Sequence, residues 1–420
     1  MDETLAIHGG EPITTEPFPS SVHGAEEISQ EEIDAVIETL SIKKPFRYLH
    51  KAGESKVGLF ESKFREFIGT EYALAVNSGT SALIAALVGI GIGSGDEVIL
   101  PGYTYISSAS AVLAANAIPV IAEIDNSLTL DPKDVERKIT PSTRAIMPVH
   151  MRGVPCNMDE ITAIARRHGL KIIEDVAQAN GGSFNNKMLG SIGDVGAFSL
   201  QYHKIITSGE GGFVTTNDKT VFSRAAFQHD SAMMFWHRDF LDVEPFDGEN
   251  YRMNELQGAL GLVQMKRIAV ILSKLREIKG QILVEIADIP GIELQKIPDR
   301  FGDCGVSLAI FLPDEVKTKE FSAALKAEGI PNGSLYDNGI PDRHLFYNWS
   351  YVMQKSTADR HGCPWTCPYY QGSVSYSKEM LPQTMNLLKR TILMPIGQSL
   401  AEKHIDWISK GIKKVANALL

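Results

Sequence analysis

The chain reads as an α/β protein: a large domain on a mostly parallel sheet, then a smaller α+β domain at the C-terminus. Three observations predict this. From Leu59 to about Lys274, short apolar runs alternate with helical patterns, as expected of a parallel sheet covered on both faces. At 420 residues the chain exceeds one ordinary core. Finally, the segments richest in chemistry-bearing side chains each follow an apolar strand, where an open α/β sheet presents its ligand groups.

The elements follow in order. Residues 1–45 form a leading arm with one amphipathic helix around Ser29 to Leu40, where Ser29 and Glu32 make a capping-box pattern. The segment KPFRYLHKAGESKVG reads as a loop, either solvated or bringing Arg47, Tyr48 and His50 to a ligand. The large domain, 46–282, carries strands at Val98 to Leu100, Val120 to Ile124, Ala145 to Val149, Lys171 to Glu174 and Val195 to Ser199, with helices such as Met158 to His168. One long helix from about Glu255 to Ile282 links it to the small domain, 283–420. That domain shows a strand at Val306 to Leu312 and helices at Lys317 to Glu328 and His404 to Ala418.

Four segments carry chemistry. In AFSLQYHKIITSGEGG, Lys204 follows a strand and precedes a glycine-rich turn. A lysine amine forms a Schiff base with an aldehyde when its surroundings keep it unprotonated; the plainer reading is a surface lysine. In LAVNSGTSALIAALVGIGIGSGDEVILP, a helix beginning near Thr80 or Ser81 offers free amides, and Gly79 lets a phosphate approach. Asn77 or Ser78 as a simple cap is the alternative. In LKIIEDVAQANGGSF a strand ends in Glu174 and Asp175. An ionised carboxylate there would keep a pyridine nitrogen protonated, Gln178 could donate to an oxygen on the same ring, and capping the next turn is the competing role for Asp175. In PGYTYISSASAV, Tyr103 and Tyr105 follow a strand; Tyr105 could stack on a flat ring or pack in the core.

Taken together, VNSGTSAL, PGYTY, EDVAQANGG and FSLQYHKIITSGEGG, with GENYRMNELQGALG at 248–261, resemble the DegT–StrS family of pyridoxal-phosphate-dependent sugar aminotransferases over roughly residues 25–275. The resemblance implies an aspartate-aminotransferase-like chain of fold type I with pyridoxal 5'-phosphate as cofactor. It implies that Lys204, five residues after Ser199, carries the cofactor as a Schiff base. Ser199, Thr80 and Ser81 would bind the phosphate, Asp175 the ring nitrogen and Gln178 the hydroxyl side, with Tyr105 stacking. Asn250, with Arg252 as the alternative, would reach the phosphate of the other subunit's site, giving a homodimer with composite active sites. The implied reaction moves an amino group from glutamate or glutamine to a keto-sugar, keto-cyclitol or sugar aldehyde, with a nucleotide-linked acceptor as the expected form. Many relatives carry His where this chain has Gln201, which leaves substrate contacts at that point open. Candidates for them are Arg47, Tyr202, Tyr336 and His344; His203 is disfavoured, because in an extended strand it would point away from Lys204.

Two alternatives accompany this reading: a sugar dehydratase, which would carry histidine at the position of Lys204, and a non-catalytic cofactor-binding regulator of the same fold. Composition narrows the rest. Net charge is −10, pI is about 5.6, and no basic stripe marks a nucleic-acid surface. No signal-peptide core or run long enough to cross a bilayer is visible, so a cytoplasmic location is expected. Four cysteines do not make a disulfide framework. Cys363 and Cys367 lack the second ligand pair of a zinc site, and no metal is expected. GIGIGSG follows a helix, where a dinucleotide fingerprint would follow a strand.

Overall fold

Apolar runs that alternate with amphipathic helices bury both faces of a sheet, and the larger sheet does so. Its strands are β1 (Tyr72–Val76), β2 (Glu97–Pro101), β3 (Ile118–Ala122), β4 (Thr143–Ile146), β5 (Lys171–Asp175), β8 (Val195–Ser199) and β9 (Gly212–Thr216), with a short hairpin of β6 (Ser183–Phe184) and β7 (Lys187–Met188) between β5 and β8. The order is β1-β9-β8-β5-β4-β2-β3, and β9 alone runs antiparallel to its neighbours. The C-terminal ends of β1, β2, β4, β5 and β8 therefore share one edge. The structure is a computed structural model describing residues 4–51, 53–236, 242–337 and 341–420.

Helices fill the connections. Helix α1 (Gln30–Ser41) starts with the expected capping box of Ser29 and Glu32. Then come α2 (Lys56–Ile68), α3 (Gly79–Gly89) and α4 (Ser107–Ala114). An aromatic cluster locks α2 to the sheet. Phe64 stacks on Phe213 of β9 at 4.0 Å and meets Phe198 of β8 edge-on at 4.9 Å. Both phenylalanines of the strands and Phe64 itself are buried.

The smaller sheet has the order β10-β11-β13-β12, from β10 (Glu293–Leu294), β11 (Ser307–Phe311), β12 (Gly333–Ser334) and β13 (Thr391–Pro395). Helices Glu315–Ala327 and Glu402–Leu419 cover it.

Two expectations need correction. The single linking helix is two, Glu255–Gln264 and Ile268–Ile286. At the break, Lys266 and Arg267 donate their amides three residues back, to Val263 and Gln264, while the Arg267 guanidinium forks onto Glu31 and Glu32 of α1. That pairing turns the chain although no Pro or Gly marks it. Also, residues 283–420 do not pack as one unit. Phe346, Trp349, Val352 and Leu381 join the core of the large sheet, and Phe346 donates its amide to Gly102 O at 3.0 Å. The Cys363–Cys367 loop sits on that side too, with Tyr370 donating to Glu97 at 2.8 Å. Among the described residues no His, Cys, Asp or Glu group could hold a metal.

Phe64→Ala empties the centre of the aromatic cluster. It should destabilise the protein by about 3–5 kcal/mol, seen as a lower urea midpoint; an unchanged midpoint would mean that this cluster does not anchor α2.

Candidate active site

The turn after β1 is built to leave two amides unused. Ser78 caps α3, its Oγ accepting from Ser81 N at 3.1 Å, and Ser81 Oγ donates to Asn77 Oδ1 at 2.7 Å. Among the described residues the amides of Gly79 and Thr80 have no acceptor. The cap and an anion site are compatible here, since the cap uses the amide of Ser81 and leaves those of Gly79 and Thr80 at the positive end of the helix. Ser199, at the end of β8, closes the same corner: a Cβ on Gly79 would lie 2.7 Å from Ser199 Cβ. Thr80 Oγ1 reaches Ser107 Oγ at 3.0 Å. Amides, hydroxyls and a glycine-lined hollow make a cradle suited to a phosphate.

Asp175 ends β5 and is buried. Its Oδ2 accepts from Ser108 Oγ at 2.8 Å and its Oδ1 from Ala177 N at 3.1 Å. Burial pushes its pKa up, and these hydrogen bonds together with Lys204 pull against that shift. Glu174, one residue earlier, faces the other side of the sheet. There it accepts from the amides of Ile192 and Gly193, both at 2.7 Å, and from His150 Nε2 at 3.2 Å. His150 Nδ1 accepts from Cys156 N at 3.1 Å, which fixes the ring proton on the nitrogen facing Glu174. Of the two strand-end acids, only Asp175 opens to the cavity.

Lys204 lies in a knot of turns beyond β8. Leu200 donates to Gly211 O, Tyr202 to Gly209 O and Lys204 to Gln201 O. Burial lowers the pKa of its amine, opposed by the charges of Asp175 and Glu210. No hydrogen bond or ion pair to the Lys204 amine is found among the described residues. Because this stretch is turned where a strand was expected, His203 and Lys204 both line the cavity, and the argument against His203 fails.

These groups surround one cavity of about 690 Å³. Gly79, Thr80, Tyr105, Asp175, Gln178, Ser199, Lys204 and His344 all line it. Tyr105 is 41% exposed, whereas Tyr103 is buried, so the two tyrosines of PGYTY divide between cavity and core. His344 sits 5.6 Å from the Tyr105 ring and pairs with Asp342 at 2.7 Å.

Other expected residues lie elsewhere. Ser81 is absent from the wall because its hydroxyl serves the turn. Arg47 is buried in an ion pair with Glu61 at 2.7 Å, with a second hydrogen bond to Ala75 O. Tyr202 is 47% exposed outside the wall, and the Tyr336 hydroxyl donates to Lys389 O at 3.2 Å. Asn250 is exposed and does not reach this chain's own cavity; Arg252 is held by Asp230 at 2.7 Å.

Several wall residues went unnoticed in the sequence. Ser107 and Ser108 share the segment of Tyr105, so their hydroxyl density was a readable sign. Arg152, like the acid of β5, follows a strand end. His23 arrives from the leading arm, its Nδ1 3.2 Å from Gln398 Oε1, and nothing local announces it. Asn180 donates to Ser199 O at 2.8 Å, while its buried Oδ1 has no partner. An orphaned acceptor in a cavity wall is a place for a donor group of a ligand.

The fit to pyridoxal phosphate is therefore physical: a phosphate cradle, a buried acid suited to a ring nitrogen, a flat side chain and an amine, all on one cavity. Comparisons with known proteins agree. The model of the DegT/DnrJ/EryC1/StrS aminotransferase family matches residues 26–361. The chain is 34% identical over 406 residues to the spore coat polysaccharide biosynthesis protein SpsC of Bacillus subtilis (strain 168), covering 92% of this chain and 95% of that one. It is 38% identical over 361 residues to the GDP-perosamine synthase of Vibrio cholerae, covering 86% and 90%. The structure matches that of S. venezuelae DesV in complex with a ketimine intermediate, with a TM-score of 0.74 and 29% identity over 93% of this chain and 95% of that one. The expected fold type I architecture stands.

A lowered lysine pKa has a stability signature. Between that folded value and 10.5, the unfolded cofactor-free chain binds more protons than the folded one, so stability rises with pH across this window. Lys204→Met in the cofactor-free protein should be more stable than its parent near neutral pH, with the gap narrowing as pH rises toward 10.5. Urea titrations at about pH 7 and about pH 10 check this; a pH-independent gap would mean that burial does not lower the amine's pKa.

Proposed function

Because this chain belongs to the DegT/DnrJ/EryC1/StrS aminotransferase family and is a pyridoxal-phosphate-dependent aminotransferase, we propose that it forms an amino sugar. The donor is glutamate or glutamine, and the acceptor is a ketone or aldehyde of a sugar or cyclitol, nucleotide-linked in the form we favour. One observation carries the assignment of roles: Lys204, Asp175 and the unused amides of Gly79 and Thr80 converge on a single cavity. The amino-sugar product draws support from the GDP-perosamine synthase likeness.

When bound, pyridoxal phosphate supplies an aldehyde that condenses with amines and a ring that accepts an electron pair. The residues of this chain do the rest. Gly79 N, Thr80 N and the hydroxyls of Thr80 and Ser199 hold the phosphate. Asp175 keeps a proton on the ring nitrogen, and Ser108 steadies its carboxylate. Lys204 Nζ, whose charge burial disfavours, would take the proton from the donor's amine-bearing carbon and deliver it, on the same face, to the carbon that had been the cofactor's aldehyde. Tyr105, on the cavity wall, would stack against the ring. Asn180 Oδ1 is left to accept from a bound group.

The site is completed by a second copy in this reading. Helix α1 is turned inside out: Glu32 and Thr39 are buried, while Ile33, Ile37 and Leu40 are 47%, 54% and 55% exposed. Leu49 and Phe235 are also exposed, at 58% and 66%. A helix that hides its polar face and shows an apolar stripe needs a cover. A partner subunit supplies it and brings Asn250 toward the phosphate of the neighbouring site. We place this homodimer in the cytoplasm, where its four free cysteines stay reduced. Among the described residues no helix is long and apolar enough to cross a membrane.

Lys204→Ala should lose the covalent cofactor absorbance and slow amino transfer from glutamate by at least roughly 10²–10⁴-fold. A cofactor still covalently attached in that variant would assign the anchor to another lysine. Ile37→Glu should shift the gel-filtration peak to the monomer and weaken cofactor retention. A dimer that persists with this charge in α1 would place the interface elsewhere.

A further inference from the structure

Arg152 is a guanidinium in the cavity wall that forms no ion pair among the described residues. It follows the end of β4, half-buried, and its Nε donates to Tyr103 Oη at 2.8 Å. Among the described residues no carboxylate lies within 4 Å of it and its two terminal nitrogens have no acceptor, the charge of Asp342 acting on it only from beyond ion-pair contact. A partly buried cation left this way is unfavourable unless an anion joins it. The fork that remains suits a planar two-oxygen group.

The backbone shows that this placement is enforced. Arg152 has φ 52° and ψ 34°, a left-handed conformation that a non-glycine residue holds only when its surroundings impose it. Its amide donates to Gln178 Oε1 at 3.0 Å. Gly153 follows at φ 81°, and a Cβ there would come within 2.9 Å of Cys304 Cβ and Val306 Cγ2. The bend is wedged between the Gln178 turn and the segment leading into β11.

Topology says which anion it meets. Across the functional edge, the phosphate cradle comes from β1 and β8, the ring acid from β5 and Arg152 from β4, in the order in which those strands lie in the sheet. Arg152 sits beside Gln178, in the connection after β4, two strands away from β8 in the sheet order. The other cationic side chains on the wall are Lys204, already assigned, and the exposed Arg343.

We propose that Arg152 is the residue that grips the carboxylate on the donor's amine-bearing carbon, selecting α-amino acids over plain amines. This rests on the amino-acid-donor reading above. Holding that carboxylate beside Gln178 fixes the rotation of the donor, so that its α-hydrogen stands toward Lys204.

The test uses the cofactor-loaded enzyme. Arg152→Gln should raise the concentrations of L-glutamate and L-glutamine that half-convert the bound aldehyde to its amine form by the same factor, roughly 10–150-fold. Arg152→Lys, which keeps the charge without the fork, should fall between it and the parent. Calorimetry with 2-oxoglutarate, which cannot react with the aldehyde form, should show the same loss, whereas inorganic pyrophosphate should bind as before. Loss for glutamate alone would move Arg152 to the side-chain carboxylate and overturn the proposal. Weakened pyrophosphate binding with unchanged donors would overturn it too, giving Arg152 to the acceptor. If the unsubstituted enzyme responds to no amino acid, the donor reading itself fails; if it responds and Arg152→Gln matches it, only the grip by Arg152 fails.

Discussion

The mutual dependence of Asp175 and Lys204 governs this molecule. Burial drives the carboxyl toward its protonated form and the amine toward its neutral one, and each charge offsets part of the penalty on the other. A buried acid and base are hard to keep poised unless the surroundings are fixed, because small movements change the electrostatics steeply at low dielectric. The structure fixes both. Asp175 sits at the end of a central strand under two hydrogen bonds, and Lys204 sits in a turn whose backbone is tied to Gln201 and to Gly24.

Much of the scaffold was legible because local pattern and tertiary packing agree. Helix Met158–His168 and strand Val195–Ser199 match their expected bounds, each having an apolar face of the right period. That the candidate cofactor-binding segments meet on one cavity was legible for a related reason: strand ends in a parallel sheet share one edge, so motifs at strand ends come together. What escaped was set by distant partners. Arg47 looked like a ligand residue until Glu61 claimed it. The break at Met265–Arg267 exists because acids on α1 capture Arg267. His203 was misjudged because the strand stops at Ser199, after which the two-residue alternation no longer applies. Arg152 carries no pattern of its own, since its place on the cavity wall beside Tyr103 and Gln178 is set only by the fold.

The inverted α1 follows from the same logic. Glu32 is fully enclosed, yet it stays ionised because Ser29 and Arg267 satisfy it, holding its pKa at about 2. Gln264 adds a third contact at 3.2 Å. The helix therefore docks by its polar side and presents its isoleucines outward. In the homodimer proposed above, that stripe would be covered by the second copy.

Enclosure of the site is a separate achievement from its chemistry. Val306, Ser307 and Pro395 of the smaller sheet, with Ser21 and His23 of the arm, complete a wall whose floor comes from the larger sheet. Gly24 passes so close to Ile205 and Ile206 that a Cβ would lie 2.8 Å from Ile206 Cα, and its amide reaches Lys204 O at 3.4 Å. His23 takes φ 38° to make that approach. The arm is thus clamped onto the turn that carries the amine. Loosening it would admit water to the cavity and weaken the burial that lowers the lysine's pKa, so the first segment of the chain and Lys204 are coupled through the close approach at Gly24.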